Sequence, residues 1–232
     1  MLADATSSPK LKTRLNLTNI MDRSAYRLFE LCKNEEFDIA EAEKIISPLD
    51  INRIIIVPGL LGETKTTFLI EASSNSNLKM VKLLLEHGAD PNMICNYENP
   101  LWDLQYNDYS DDEYEKGEEV TRNSDEKRLK IAQLMLEYGA DPCMIVEDED
   151  LFSYVLFAVF NDDPGHLRDY RSRFFILLIA YGGKNSYCNP KILKPFDKSN
   201  MHQYAFLRVP VGDGYHLTGE IVDENHEVVA KV

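Results

Sequence analysis

The sequence predicts a mainly α-helical protein, a solenoid of about four helix pairs closed at its C-terminal end by a small antiparallel β element. Three observations predict it. The phrase Leu85-Glu86-His87-Gly88-Ala89-Asp90-Pro91 recurs nearly unchanged as Leu136-Glu137-Tyr138-Gly139-Ala140-Asp141-Pro142. Each copy ends an apolar run at helical spacing, Met80-Val81-Leu83-Leu84 and Ile131-Ala132-Leu134-Met135. Beyond residue 203 the spacing changes to the alternation of strands. A helix that stops at Gly and turns through Ala-Asp-Pro is one unit used twice: Gly takes the left-handed position that ends the helix, and Pro keeps it from resuming. Stacked units present surface instead of enclosing chemistry, which favours a binding protein over an enzyme.

Taken in order, residues 1–22 read as a polar leader, and the repeat region spans 23–187. Ser24–Cys32 and Glu36–Ile46 are helices, ended by Ser47-Pro48, and form a degenerate first unit. Ile54–Val57 is a short strand, and Pro58-Gly59 with Gly62 makes a long projecting turn. The second unit is Thr67–Ala72, a turn at Asn75–Asn77, and Leu78–His87. The third opens with Asn99-Pro100-Leu101-Trp102-Asp103-Leu104, Pro being suited to a first helical turn. A polar, acidic insertion at about 106–125 precedes its second helix, Lys127–Tyr138. The fourth pairs Leu151–Phe160 with Tyr170–Tyr181, separated by Asn161-Asp162-Asp163-Pro164-Gly165. Residues 188–232 are a small β-meander cap: Tyr204–Val211, a turn at Gly212-Asp213-Gly214, Tyr215–Val222, a turn at Asp223-Glu224-Asn225, and His226–Val232. The apolar side chains of Phe174, Phe175, Leu177, Leu178 and Ile179 need such a cover.

With 44% hydrophobic and 28% charged residues, the 232-residue chain has the composition of a soluble globular protein. Its net charge of −14 opposes contact with nucleic acid or anionic membranes and favours a basic protein partner. Cys32, Cys95, Cys143 and Cys188 are widely spaced, which points to reduced thiols in a cytoplasmic protein. The first nine residues lack the basic and apolar stretches of a secretory signal. The apolar runs Leu151–Phe160 and Phe174–Tyr181 are too short to span a bilayer. A monomer without cofactor or metal is expected.

The second unit resembles the ankyrin repeat. Thr67, Leu69 and Ala72 fall on the Thr, Leu and Ala of that family's T-P-L-H-x-A phrase, and Leu78, Val81, Leu83-Leu84-Leu85 and Gly88-Ala89-Asp90-x-Asn92 fall on its second helix and turn. The third unit keeps Pro100, Leu101 and Gly139-Ala140-Asp141; the fourth keeps Leu151, Leu177-Leu178 and Gly182. Thr67 to Asn99 is 32 residues, close to the family period of about 33. Gly88 to Gly139 is 51 and Gly139 to Gly182 is 43, because the turns between helices carry insertions. Phe68 departs from the family's Pro, and Ile70, Trp102 and Phe152 from its His. In this family fingertips and first-helix faces form the concave binding surface. The resemblance therefore implies partner-binding residues at Asn96, Tyr97 and Glu98 on one finger and Glu147 and Asp148 on the next. Ser74, Asn75, Tyr106 and Asn107 follow from the ends of first helices.

Catalytic signals are sparse. Gly59–Thr66 lacks the Gly-Lys-Ser/Thr core of a phosphate loop, and no H-E-x-x-H occurs. His202, Tyr204, Asp213 and His216 are the only plausible players for an enzyme sited in the C-terminal segment. The insertion core, 107–119, holds seven acids and one lysine; it reads as a solvated loop or as a contact surface for a basic partner, helped by Tyr106, Tyr109 and Tyr114. Asp108, Ser110, Asp112 and Glu119 match positions 1, 3, 5 and 12 of a calcium loop, but Glu113 stands where the sharp turn wants Gly. The function expected is non-catalytic recognition of a basic protein. Acidic, degenerate ankyrin proteins resemble those that neutralise toxins in toxin–immunity pairs; an adaptor or a secreted effector docking a host protein is the alternative.

Overall fold

A computed structural model describes residues 22–59, 62–105, 118–161, 166–185, 188–208 and 219–232. In chain order the elements are α1 (Arg23–Cys32), α2 (Ile39–Ile46), β1 (Ile55–Gly59), β2 (Gly62–Thr66), α3 (Phe68–Ser74), α4 (Leu78–Glu86), α5 (Pro100–Asp103) and α6 (Glu118–Glu137). Then come β3 (Ile145–Val146), β4 (Glu149–Asp150), α7 (Leu151–Asn161), α8 (His166–Ala180), β5 (Lys191–Ile192), a 3-10 helix (Lys198–Gln203), β6 (Ala205–Arg208), β7 (Gly219–Val222) and β8 (Val228–Lys231). The protein is a mainly α repeat protein, and among the described residues its strands form three small antiparallel sheets. Among the described residues no helix is long and apolar enough to cross a membrane.

Three helices end in the same way. Gly88, Gly139 and Gly182 have φ of 87°, 90° and 93°, the left-handed region that a residue without Cβ enters freely. The Gly88 and Ala89 amides donate back to the Leu85 and Leu84 carbonyls at 3.0 and 2.9 Å. Gly139 and Ala140 donate to Leu136 and Met135, and Gly182 and Gly183 to Ile179 and Leu178. This pair of bonds satisfies carbonyls that the helix itself leaves open.

Neighbouring turns are then tied to one another. Asn52 Nδ2 donates to the Gly88 carbonyl at 3.0 Å and its Oδ1 accepts the Asp90 amide at 2.8 Å. Asn92 repeats this against Gly139 and Asp141 at 2.9 and 2.7 Å. Cys143 holds the third place, its thiol 3.1 Å from the Lys184 carbonyl oxygen. Deeper in, buried Asn77 caps α4 by accepting the Met80 amide, while its Nδ2 donates to the Leu31, Cys32 and Asn34 carbonyls at the end of α1.

Packing follows the same repetition. α1 packs on α3 and α3 on α5, while α4 packs on α6 and α6 on α8. Each pair contributes to one continuous apolar core that includes Leu28, Phe68, Met80, Leu101, Ile131, Phe152 and Phe175. The C-terminal strands form a four-stranded sheet in the order β5-β8-β7-β6. Its edge strand β6 lies on α8, with the Phe206 ring edge-on to Phe175 and to Phe160 at 5.9 and 5.8 Å.

Several boundaries differ from expectation. The strand-plus-projecting-turn at 54–62 is a hairpin, β1 paired with β2 from Ile55↔Thr66 to Gly59↔Gly62. Gly62-Glu63-Thr64-Lys65-Thr66 shows no apolar alternation because main-chain bonds, not burial of a face, hold it. The second helix starts at Ile39, since the Asp38 carboxylate accepts the Ala40 amide and caps it there. The insertion at 106–125 is shorter than composition suggested: residues 118–125 belong to α6, and Asp125 is buried. α8 begins at His166, ahead of the expected Tyr170. The cap gains β5 and a 3-10 helix whose polar, proline-flanked residues carry no periodic signal.

Candidate functional site

Two short fingers frame the site. Cys95 and Glu98 exchange both main-chain bonds, at 2.9 and 3.0 Å, across Asn96 and Tyr97. β3 pairs with β4 across Glu147 and Asp148. In both tips two successive residues have positive φ, 53° and 65° in one and 51° and 68° in the other. That is the backbone of a type I′ hairpin, whose twist matches the flanking strands. Strand alternation then sets each finger's faces: Ile55, Cys95 and Val146 point inward and are buried, while Ile54, Ile94 and Ile145 point outward and are exposed.

Between these two fingers and the first helices lies a cleft of about 630 Å³. Ser74, Tyr97, Glu98, Trp102, Asp103, Arg128, Val146, Glu147 and Glu149 line it. Trp102 sits at its base, tilted against Tyr154 at 5.8 Å, and Tyr97 stands open at its rim with 69% of its surface exposed. The Ser74 hydroxyl donates to Asp103 Oδ2 at 2.5 Å. Arg128 is directed elsewhere in part: its Nη2 donates to the Asp103 and Leu104 carbonyls at 3.1 and 3.3 Å, closing the end of α5. Buried Tyr170 reaches the same Leu104 carbonyl at 2.5 Å, and burial pushes its phenol up to about 12.

The electrostatics are those of crowded carboxylates. Glu98 opens to the cleft, yet the surrounding protein strips enough water from it to raise its pKa, and the negative Asp103 and Glu71 add to the shift. Burial also raises Glu71, against the opposing pull of Lys33 and of the Asn75 amide. The cleft is thus a negative, partly dry concavity with aromatic walls. Such a surface suits a partner's lysine or arginine side chain, which gains carboxylate and ring contacts together.

Of the residues expected to bind, Ser74, Tyr97, Glu98 and Glu147 come together in the cleft. Asn75 does not: its amide folds back on Glu71 at 2.8 Å and caps α3. Asn96 and Asp148 occupy the finger tips beside the cleft without lining it. Tyr106 and Asn107 lie outside the described residues. Trp102, Asp103, Arg128, Val146 and Glu149 were not anticipated. Glu149 was within reach of the alternation rule, because a two-residue tip at 147–148 puts it opposite Val146. Arg128 had no local signal, since it arrives from beyond the insertion.

Of the residues named for a C-terminal site, the Tyr204 hydroxyl accepts the Asp197 amide at 2.7 Å, His202 is exposed, and Asp213 and His216 lie outside the described residues. Most of the calcium-loop spacing falls outside them too, and Glu119 is in α6. Among the described residues no group of three His, Cys, Asp or Glu is arranged to hold a metal.

Comparison with known families finds that the ankyrin repeat model matches residues 65–96. These residues run from the end of β2 through α3 and α4 to the second finger, so the resemblance carried by Thr67–Asn92 holds. Ankyrin repeats are protein–protein interaction modules. No curated protein matches the chain.

Proposed function

We propose that this ankyrin repeat protein is a non-catalytic solenoid of about four units that binds a basic protein through the cleft between its second and third fingers. The observation that carries the reading is the convergence of Glu98, Asp103, Glu147 and Glu149 around Trp102 and Tyr97 on the fingertip and first-helix side of the repeats. A net charge of −14 steers a positive partner toward that face. Masking a positively charged functional surface, as an immunity-type inhibitor does, is the role this chemistry suits best. It would act in the cytoplasm as a monomer, with no cofactor. An adaptor or secreted effector docking a host protein would use the same cleft and differs only in the partner.

The test is photocrosslinking in the producing cells, with a photoreactive residue in place of Tyr97 and, as the control, in place of Lys82 on α4. The expected result is one basic protein captured from position 97 and lost when Glu98, Glu147 and Glu149 are changed to Lys. Capture from position 82 alone would overturn the assignment of the cleft.

A further inference from the structure

A second concavity lies away from the acidic cleft, and the two share no described residue. It is a cavity of about 140 Å³ between α6, α8 and the 3-10 helix of the C-terminal cap. Its floor is apolar, with Leu129 and Leu177 buried and Met201 half-buried. Its rim is basic. Lys130 from α6, Arg173 from α8 and His202 from the 3-10 helix stand around Glu126, the one acid among the described lining residues. Two contacts fix the wall that the cap supplies: the Gln133 amide donates to the Lys198 carbonyl at 2.6 Å, and the Lys198 ammonium stands 3.8 Å above the Tyr181 ring.

The charges around this cavity are not balanced: two full positive charges and an imidazole face one carboxylate. Glu126 is taken by Arg173, whose Nη1 lies 2.6 Å from its Oε1. A guanidinium carries five donors, so that bond leaves others for a ligand. Among the described residues Lys130 and His202 form no ion pair. Glu126 itself registers the sign of the local field. Its pKa is held below the usual carboxylate range, chiefly by the Arg173 bond and further by Lys130 and His202, against its own desolvation. A positive concavity over an apolar floor stands out in a chain of net charge −14. Size narrows the occupant: 140 Å³ is the space of about five water molecules. That admits a carboxylate on a branched aliphatic or single-ring group and excludes a nucleotide. A bare phosphate would leave Leu129, Leu177 and Met201 uncovered.

We infer that this cavity binds a carboxylate borne on a small apolar group, either a free organic acid or the C-terminal carboxylate of a peptide whose last side chain is apolar. The carboxylate takes the remaining donors of Arg173 and the Lys130 ammonium, and His202 closes the rim. The apolar group lies on Leu129, Leu177 and Met201. Arg173 suits the task, because its planar fork matches the two oxygens of a carboxylate. With walls drawn from α6, α8 and the cap, an occupant ties these elements together and stabilises the C-terminal end of the fold. The site is independent of the acidic cleft and acts whether or not that cleft holds a partner.

The experiment titrates the isotope-labelled full chain with isovalerate, benzoate and inorganic phosphate, following backbone amide shifts by NMR. Salt is held at about 0.15 M, where a Debye length of ~8 Å screens the protein's distant acids. Both organic acids should give saturable shifts confined to 126–133, 173–177 and 198–203, with a Kd of about 1–10 mM, ordinary for so small a ligand. Phosphate should bind at least about fivefold more weakly, since it covers no apolar floor. Lys130→Gln with His202→Gln, both at exposed positions, should weaken the acids about threefold or more. Arg173→Lys, which keeps the charge and loses the fork, should weaken them about fivefold. Matching circular dichroism shows that each variant is folded, and the exposed pair carries the test should Arg173→Lys fail to fold. A hexapeptide ending in Leu, compared with its C-terminal amide, separates the two sources. Binding by its acid form alone supports a chain terminus, and binding of the free acids without the peptide supports a small acid. Shifts on other faces, no saturation by any carboxylate probe, equal affinity for phosphate, or affinities unchanged in the Lys130→Gln, His202→Gln variant would overturn the inference.

Discussion

Two glycines in this protein are required for different reasons, and substitution separates them. Gly88 has φ 87° with nothing within 4 Å of where a Cβ would stand, so its constraint is conformational. Gly88→Val should cost about 1–2 kcal/mol, or a melting temperature lower by about 2–8 °C for a chain this size, and Gly88→Asn should recover most of it. At Gly219 a Cβ would lie 2.3 Å from the Phe206 ring, so the constraint is space. Gly219→Ala should cost about 1–3 kcal/mol, and far less in a Phe206→Leu background; equal costs in both backgrounds would contradict the steric account. Charge at single residues has its own signature. Folding raises the pKa of Glu71 and Glu98, so these groups add stability in acid and lose it as pH rises through their raised values. Glu126, lowered chiefly by its bond from Arg173, does the opposite, contributing at neutral pH and losing that as pH falls. Glu71→Gln should therefore be at least as stable as wild type at pH 7, by up to about 1 kcal/mol, and show no gain once Glu71 itself is protonated. Urea midpoints at pH 7 and pH 4 measure this, and a clear loss at pH 7 would refute it.

At the scale of elements, what the sequence made legible was whatever announces itself through burial or special backbone. The helix ends at Gly88 and Gly139 and the helices of the second unit were readable because apolar period and left-handed glycine coincide there. The return strand β2 and strand β5 were not, because they are held by main-chain bonds and hide little apolar surface. The start of α6 was hidden by composition, since acidic residues at 118–125 read as insertion although they extend a helix packed on α4 and α8. The cap was read in outline from alternation alone, and its role is testable. Phe174, Phe175 and Leu178 of α8 are fully buried, and Phe206 covers Phe175. Truncation after Lys184 should give a protein that aggregates or loses cooperative unfolding, and Phe206→Ala should cost about 2–4 kcal/mol. A soluble truncated chain that melts cooperatively would make residues 188–232 an independent element instead of a cover.

At the scale of the whole molecule, the candidate site was half legible. A repeat draws attention to its fingers and first-helix ends, and Ser74, Tyr97, Glu98 and Glu147 from those places line the cleft, but only the fold could bring Trp102, Asp103, Arg128 and Glu149 beside them. The reason is physical: these side chains come from α5, α6 and β4, and their meeting depends on how units stack across an insertion of unpredictable length. The stacking is itself enforced by the Asn52 and Asn92 bridges between turns, so loosening those bridges should perturb binding without touching the cleft. The central claim, that this negative cleft recognises a basic protein, is tested most directly by association kinetics. With the partner identified by crosslinking, the on-rate is measured across salt concentrations for the wild type and for Glu98→Lys, Glu147→Lys, Glu149→Lys. The account predicts an on-rate at least tenfold lower at low salt and a much flatter salt dependence in the variant. An unchanged on-rate with the wild-type salt dependence would contradict it.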